Sequence, residues 1–278
     1  VDLTESGIEY VYRERAFVYL AKGGKDHIEQ DRIDYGIEVL KKFVIKCATL
    51  AVRDTIGLGT SALRSADNAH EFISSVKEYC GLTVDVISGR EEAELIHTGV
   101  VSEIKLNENL LVMDIGGGSV ELIASEGQTI IDLMSLPLGI SHLRSQIEYS
   151  DPMTVQEYKS IKSALLNQIQ PIKAWSHLPT ILAGASGPFE IIESILDAKP
   201  KAGGNRFDID QVRAIARRIL FASFEERQNI KGMPPKRADL ALESMMLIDL
   251  VIELFPSLEY LIVTSWALKE GYLLSKYF

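Results

Sequence analysis

The run richest in chemistry is Met113-Asp114-Ile115-Gly116-Gly117-Gly118-Ser119-Val120-Glu121-Leu122. An acidic residue closes an apolar stretch, and three glycines turn into a second one. Glycines at such a turn let backbone N–H groups approach a phosphate with no Cβ in the way. Asp114 at a strand end suits Mg²⁺ held through its waters and bridged to phosphoryl oxygens. A glycine-rich hairpin with an Asx cap is the competing reading, but it requires neither the third glycine nor the serine. A second run is Ser88-Gly89-Arg90-Glu91-Glu92-Ala93-Glu94-Leu95-Ile96. Carboxylates in a first helical turn favour the dipole, and that alone accounts for an isolated Glu pair. Adjacent helical residues point about 100° apart, so at most one of Glu91 and Glu92 can face a cleft. Gly59-Thr60-Ser61-Ala62-Leu63-Arg64 offers small hydroxyls and an arginine able to grip phosphate in a bidentate fashion; an N-capped helix with a surface Arg explains it equally. Gly184-Ala185-Ser186-Gly187 is a strand-to-helix turn, an anion seat in type but weak alone. His97, His142 and His177 stand at no metal-ligand spacing. Ser186 lacks the GxSxG context of a nucleophile, and Trp175 and Trp266 read as packing.

The elements that must hold these residues follow one plan twice. Leu110–Ile115, Ser119–Ala124 and Thr129–Ser135 are short apolar runs separated by glycine turns, a predicted antiparallel meander. A long helix is expected from Asp151, with Asp151-Pro152 as its start, to Trp175. Strand Thr180–Ala183, helix Phe189–Leu196, helix Ile209–Phe224, helix Arg237–Leu254, strand Tyr260–Thr264 and helix Trp266–Tyr277 complete this half. The first half predicts strands Ile8–Tyr12 and Ala16–Ala21, a turn at Lys22-Gly23-Gly24 and a helix from Gln30 into the forties. Strand Ile56–Gly59, helix Asn68–Tyr79, strand Thr83–Ile87 and helix Arg90–Val100 follow. Superposing the halves leaves one vacancy, an opening strand and glycine turn before Val1. The expectation is an internal duplication, with lobes over residues 1–107 and 108–278. A further expectation is about 15–20 upstream residues carrying an Asp-x-Gly turn, enough for one strand and its lead-in.

Composition narrows the class. The chain has 278 residues, 46% hydrophobic and 24% charged, enough to bury one large or two medium cores and too apolar for disorder. No apolar run reaches the ~18 residues of a membrane span, and no signal-peptide layout opens the chain. Two cysteines, Cys47 and Cys80, make no disulfide framework, which points to a reducing cytoplasm. A net charge of −10 disfavours nucleic acid as a partner. The segment from Lys199 to Arg237 is +6 nonetheless, which leaves −16 elsewhere. That segment reads either as a solvated helical face or as a funnel for an anionic ligand.

Taken together, TSALR, SGREEAELIHTG, LVMDIGGGSVEL, SLPLGISHL, AGASG and VTSWALKEGYLL resemble the exopolyphosphatase/guanosine pentaphosphate phosphohydrolase family in order and spacing, over about Leu20–Gly271. The resemblance implies an α/β fold, a duplicated ribonuclease-H-like (actin-like ATPase) architecture with two lobes around a central cleft. It makes Glu92 the catalytic base and gives Asp114 and Glu121 to the metal, Mg²⁺ or another divalent cation. Arg64, Gly116, Gly117, Gly118, Ser119, Gly184, Ser186 and Gly187 become phosphate-binding. Three departures stand out: the opening Asp-Ile-Gly turn is absent, Pro188 replaces the usual Thr, and a helical Gly is replaced near Glu243–Met246.

The implied reaction is Mg²⁺-dependent release of terminal phosphate from inorganic polyphosphate, guanosine pentaphosphate or both, with Glu92 activating water. The implied partner is a polyanionic phosphate substrate, without nucleic acid or membrane, in a cytoplasmic protein that could pair as a homodimer. A kinase of the same fold and a non-catalytic phosphate- or nucleotide-sensing protein are the alternatives.

Overall fold

The computed structural model describes every residue except Ser6, Gly23, Lys25, Gln170, Pro171, Lys173, Ala174, Ser176 and His177. Gly23 of the predicted turn, the end of the predicted long helix and His177 therefore lie outside the described residues. The chain forms two compact units, Val1–Ser88 and Gly89–Phe278.

In the first unit, β1 (Asp2–Thr4) and β2 (Gly7–Glu9) pair as a short antiparallel hairpin. Helix α1 (Gln30–Thr49) follows, then β3 (Gly57–Gly59), α2 (Ser61–Ser65), α3 (Ala69–Cys80) and β4 (Val84–Val86), with β3 and β4 parallel. The 3.6-residue spacing of Ile33, Ile37 and Leu40 turns one face of α1 onto Phe72 and Val76 of α3. Asn68 pins the start of that pair, accepting from Ile28 N–H at 2.8 Å and donating to Ile28 O at 3.0 Å. Ala16–Ala21 does not form the predicted strand, since no ladder partner stands beside it among the described residues. Its end is instead drawn into a turn, with Tyr19 at a φ of 55° and Lys22 N–H donating to Tyr19 O at 3.0 Å.

The second unit opens with α4 (Gly89–Ile104), then β5 (Asn109–Ile115), β6 (Val120–Glu126), β7 (Thr129–Leu136), α5 (Ile140–Gln146) and α6 (Val155–Gln168). It continues with β8 (Ile181–Gly184), α7 (Gly187–Ile195), β9 (Asn205–Asp208), α8 (Ile209–Leu220) and α9 (Phe224–Gln228). The last elements are α10 (Ala241–Leu254), β10 (Tyr260–Val263) and α11 (Leu268–Tyr277). One sheet runs β7-β6-β5-β8-β10-β9. Its first three strands are the predicted meander, β5, β8 and β10 are parallel, and β9 closes the edge antiparallel. The meander followed by parallel strands is the ribonuclease-H-like order. Strand β9 was not anticipated, because Asn205-Arg206-Phe207-Asp208 carries a single large apolar residue.

Two helix starts differ from expectation. Helix α6 begins at Thr154, whose Oγ1 accepts from Glu157 N–H while Glu157 accepts from Thr154 N–H, a capping box that outcompetes Asp151-Pro152. Asp151 instead receives Phe224 N–H at 2.8 Å. Helix α10 starts at Ala241 rather than Arg237, and most of its residues are buried on every side.

Helix α4, placed by the sequence reading within 1–107, packs on α11 in the second unit. Its contact there is backbone on backbone. A Cβ at Gly99 would stand 2.3 Å from Ala267 O, and one at Gly271 would stand 1.8 Å from Leu95 O. Glu103 on the last turn of α4 locks the crossing by accepting from Thr264 Oγ1, Ser265 N–H and Oγ, and Trp266 N–H. Gly271→Ala is therefore expected to cost about 3 kcal/mol or more, the upper end for overpacking. Ser102→Ala on the same helix should stay within about 0.5 kcal/mol. Urea denaturation of the two variants checks the difference.

Candidate active site

The register of β5 on β6 sets Asp114 directly opposite Glu121, and that of β6 on β7 sets Glu121 opposite Ser135. Glu121 is 1% exposed. Ser135 Oγ donates to its Oε1 at 2.8 Å, and the Ser119 hydroxyl also bonds it. Burial, then the nearby charges of Glu92 and Asp114, push the Glu121 carboxyl up to about 8. Three carboxylates from α4, β5 and β6 thus converge, and Glu92 is the buried member of its Glu pair. Glu91, one residue away, is exposed, as the 100° step of a helix requires.

The glycine turn between β5 and β6 is braced from behind. Gly116 N–H donates to Ser119 O at 2.9 Å and so closes the turn on itself. The carbonyls of Gly116 and Gly117 accept from Ile140 N–H at 3.0 Å and Ser141 N–H at 2.8 Å, the first residues of α5. A Cβ at Gly139 would lie 2.4 Å from Gly118 N and Ser119 N, so only glycine lets this segment seat against the turn.

The second turn is tied to the first. Ser186 Oγ accepts from Ile115 N–H at 3.0 Å, and Ala185 N–H donates to Met113 O at 3.1 Å. The Cβ space at Gly184 holds the Phe189 ring, and that at Gly187 holds the Arg237 guanidinium. Packing against the buried Phe189 ring therefore requires Gly184 whatever ligand the turn meets, while at Gly187 only the flexible end of Arg237 would have to shift. Pro188 sits in the first turn of α7, where its missing N–H leaves no helical bond unmade. Arg64 lies in the first unit, where its Nη1 donates to Ile87 O at 2.9 Å. Among the described residues no group of three or more His, Cys, Asp or Glu side chains is arranged to hold a metal.

Part of the basic segment is taken up by internal contacts, while Lys199, Lys201, Arg218, Lys231 and Lys236 lie exposed. Arg213 Nε and Arg217 Nε donate to the fully buried Asp249 at 3.0 and 3.2 Å, with Tyr158 OH on the same carboxylate. Arg227 pairs with Asp151 and Arg237 with Glu190. The Arg206 guanidinium stacks 3.7 Å from the Tyr260 ring centre. Sequence reasoning also missed Ser135, Gly139 and Glu103. Ser135 and Gly139 both left a signal, inside SLPLGISHL, while Glu103 left none.

A model of the Ppx/GppA phosphatase family matches residues 1–277. The chain belongs to that family. The structure of an exopolyphosphatase from Cytophaga hutchinsonii is 30% identical, covering 99% of this chain and 91% of its own, with a TM-score of 0.90. That of the Aquifex aeolicus Ppx-GppA enzyme is 26% identical, over 94% of this chain and 89% of its own, with a TM-score of 0.77. An exopolyphosphatase-like protein 19% identical shares the fold at a TM-score of 0.85, over 97% of this chain and 90% of its own. The resemblance read from the motifs and the α/β fold it implied are both borne out, and the chain is a phosphohydrolase. Among the described residues no helix is long and apolar enough to cross a membrane.

Two expectations follow. In metal-free protein the Glu121 carboxyl binds its proton up to about 8 when folded, but only to about 4.5 when unfolded. Its contribution to stability is therefore full below about 4.5 and lost as pH rises through about 8. Thermal melts in a chelator should show Glu121→Gln gaining on the parent across that window. Arg217→Glu should lose about 2 kcal/mol, the worth of a charged hydrogen bond, and leave KM for long polyphosphate unchanged. A melt and a steady-state assay test both halves.

Proposed function

We propose that this phosphohydrolase releases the terminal phosphate of inorganic polyphosphate, guanosine pentaphosphate or both, with Glu92 as the proton acceptor for the attacking water. The observation that carries the reading is the convergence of Glu92, Asp114 and the buried Glu121 beside the Gly116–Ser119 turn; burial first, and then the charges of the other two, push Glu121 up to about 8. Phosphoryl transfer asks little covalent chemistry of a protein; positioning, charge neutralisation and a placed nucleophile suffice. Gly116 shapes the turn, and amides of Gly117, Gly118 and Ser119 supply donors for the phosphoryl oxygens. Gly184, Ser186 and Gly187 keep the second turn against β5, and amides at the head of α7 complete the seat. Arg64 keeps, from the resemblance alone, the role of gripping phosphate oxygens.

The donor set fits a hard divalent cation. It is all oxygen, its crowded charges favour a neutralising ion, and a pair of carboxylates suits Mg²⁺, which retains most of its water. Asp114 and Glu121 would hold it, and it would supply charge neutralisation at the phosphoryl oxygens. Glu92, on a separate helix, is left to take the proton.

Glu92→Gln should lower turnover by about 10²–10⁴-fold, the usual worth of a general base, with folding intact. Glu91→Gln, on the exposed side of α4, should cost far less. Phosphate release from polyphosphate, guanosine pentaphosphate and ATP, assayed side by side, tests the reading; equal losses in the two variants would sink the assignment. Turnover of ATP alone, with transfer to an acceptor, would favour a kinase, and binding without turnover a sensor.

A further inference from the structure

The seven-residue helix α5 carries the phosphate turn on its first residues and an unusual anchor on its last turn. Arg144 lies one turn beyond Ile140, whose N–H holds Gly116 O. Its Nη1 and Nη2 donate to the two oxygens of Asp239 at 2.7 and 2.9 Å, and Nη2 also donates to Asp239 O at 2.7 Å. Its Nε lies 3.2 Å from Glu243 Oε1, which Tyr149 OH also reaches at 2.7 Å. Glu243 is fully buried at the head of α10, and its other oxygen, Oε2, has no hydrogen-bond partner.

A helix this short has little stability of its own, so tertiary contacts must fix its placement. Burial of Ile140 and Leu143 holds it down on the core, but apolar contact is non-directional. The planar Arg144 fork is directional: it engages one carboxylate in two parallel bonds and a second through Nε. The Asp239 pairing raises the affinity of Arg144 for its proton, so the fork stays charged. A buried carboxylate with one oxygen unsatisfied is costly, and breaking its pair with Arg144 would leave more of it uncompensated.

The geometry points to Arg144 as a positioning residue of the hydrolytic site: anchored on Asp239 and Glu243, it sets the rotation of α5 and thereby the aim of the Gly117–Ser119 amides. Charge-stabilising donors act only when held at the right place, and an ångström of misplacement is felt chiefly in the chemical step. The inference rests on the proposed hydrolysis for its kinetic readout, and on the fold alone for its structural one.

The test compares Arg144→Lys, which keeps the charge but loses the fork, with Asp239→Asn, their double variant, and Arg213→Lys on the remote Asp249 pair. Hydrogen exchange of residues 116–119 and 139–146 is read by mass spectrometry. Phosphate release from polyphosphate is read as kcat and KM, well below each melting temperature. Exchange in both segments should quicken at least tenfold in Arg144→Lys and Asp239→Asn, and stay unchanged there in Arg213→Lys. Turnover should fall about tenfold with KM within twofold, and the double variant should be no worse than either single one, since they break one contact. Unchanged exchange overturns the brace, whatever the activity. Quickened exchange with kcat within twofold of the parent overturns its role in positioning. A parent protein that releases no phosphate from any substrate instead sinks the hydrolytic reading, and exchange alone then decides the brace.

Discussion

Glu121 sits on β6, paired on both sides within the sheet and 1% exposed, with Asp114 across the ladder and Glu92 on helix α4. Burying one carboxylate is unfavourable, and placing two more beside it adds repulsion that a dry interior screens poorly. The cluster persists because the surrounding scaffold leaves these side chains nowhere else to go. Two hydroxyls, from Ser119 and Ser135, partly compensate the middle carboxylate. The remaining penalty falls on the packing of the second unit.

That packing is correspondingly close. Leu111, Met113, Leu182 and Leu261 on three parallel strands are fully buried beneath α10, which presents apolar side chains nearly all round. On the other face α4 and α11 meet at glycines, so the helix bearing Glu92 approaches its neighbour more closely than side chains would permit. Close backbone approach makes the position of Glu92 a property of two helices and a sheet rather than of one rotamer. The Asp249 network serves the same end from below, joining α6, α8 and α10 through one buried charge.

Legibility in the sequence tracked how local each cause is. The meander and the two glycine turns follow from period and turn chemistry, visible in single runs of residues; the helical step allowed only one of Glu91 and Glu92 to face inward, and the resemblance, not the step, picked Glu92. The start of α6 was misplaced because a capping box at Thr154 and a proline at 152 compete within three positions, and only the hydrogen bonds decide. Ala16–Ala21 is apolar enough for a strand, but an apolar run does not specify a ladder partner. The basic segment showed its charge in sequence and hid its counter-charges, because Asp249, Asp151 and Glu190 are remote along the chain. Arg144 gave no signal at all: its value comes from Asp239 and Glu243, about a hundred residues on.

The hydrogen bond from Ile115 N–H to Ser186 Oγ has a mechanical meaning. It lies across the seam between β5 and β8, one residue beyond Asp114, and with the Ala185–Met113 bond it makes both glycine turns a single rigid jaw. Such a jaw has no internal hinge: neither turn can swing aside to let an anion in or out while the other stays. Were a phosphoryl group seated there, its entry and exit would call for motion elsewhere in the molecule, and the tempo of exchange would be set apart from the geometry of the paired turns.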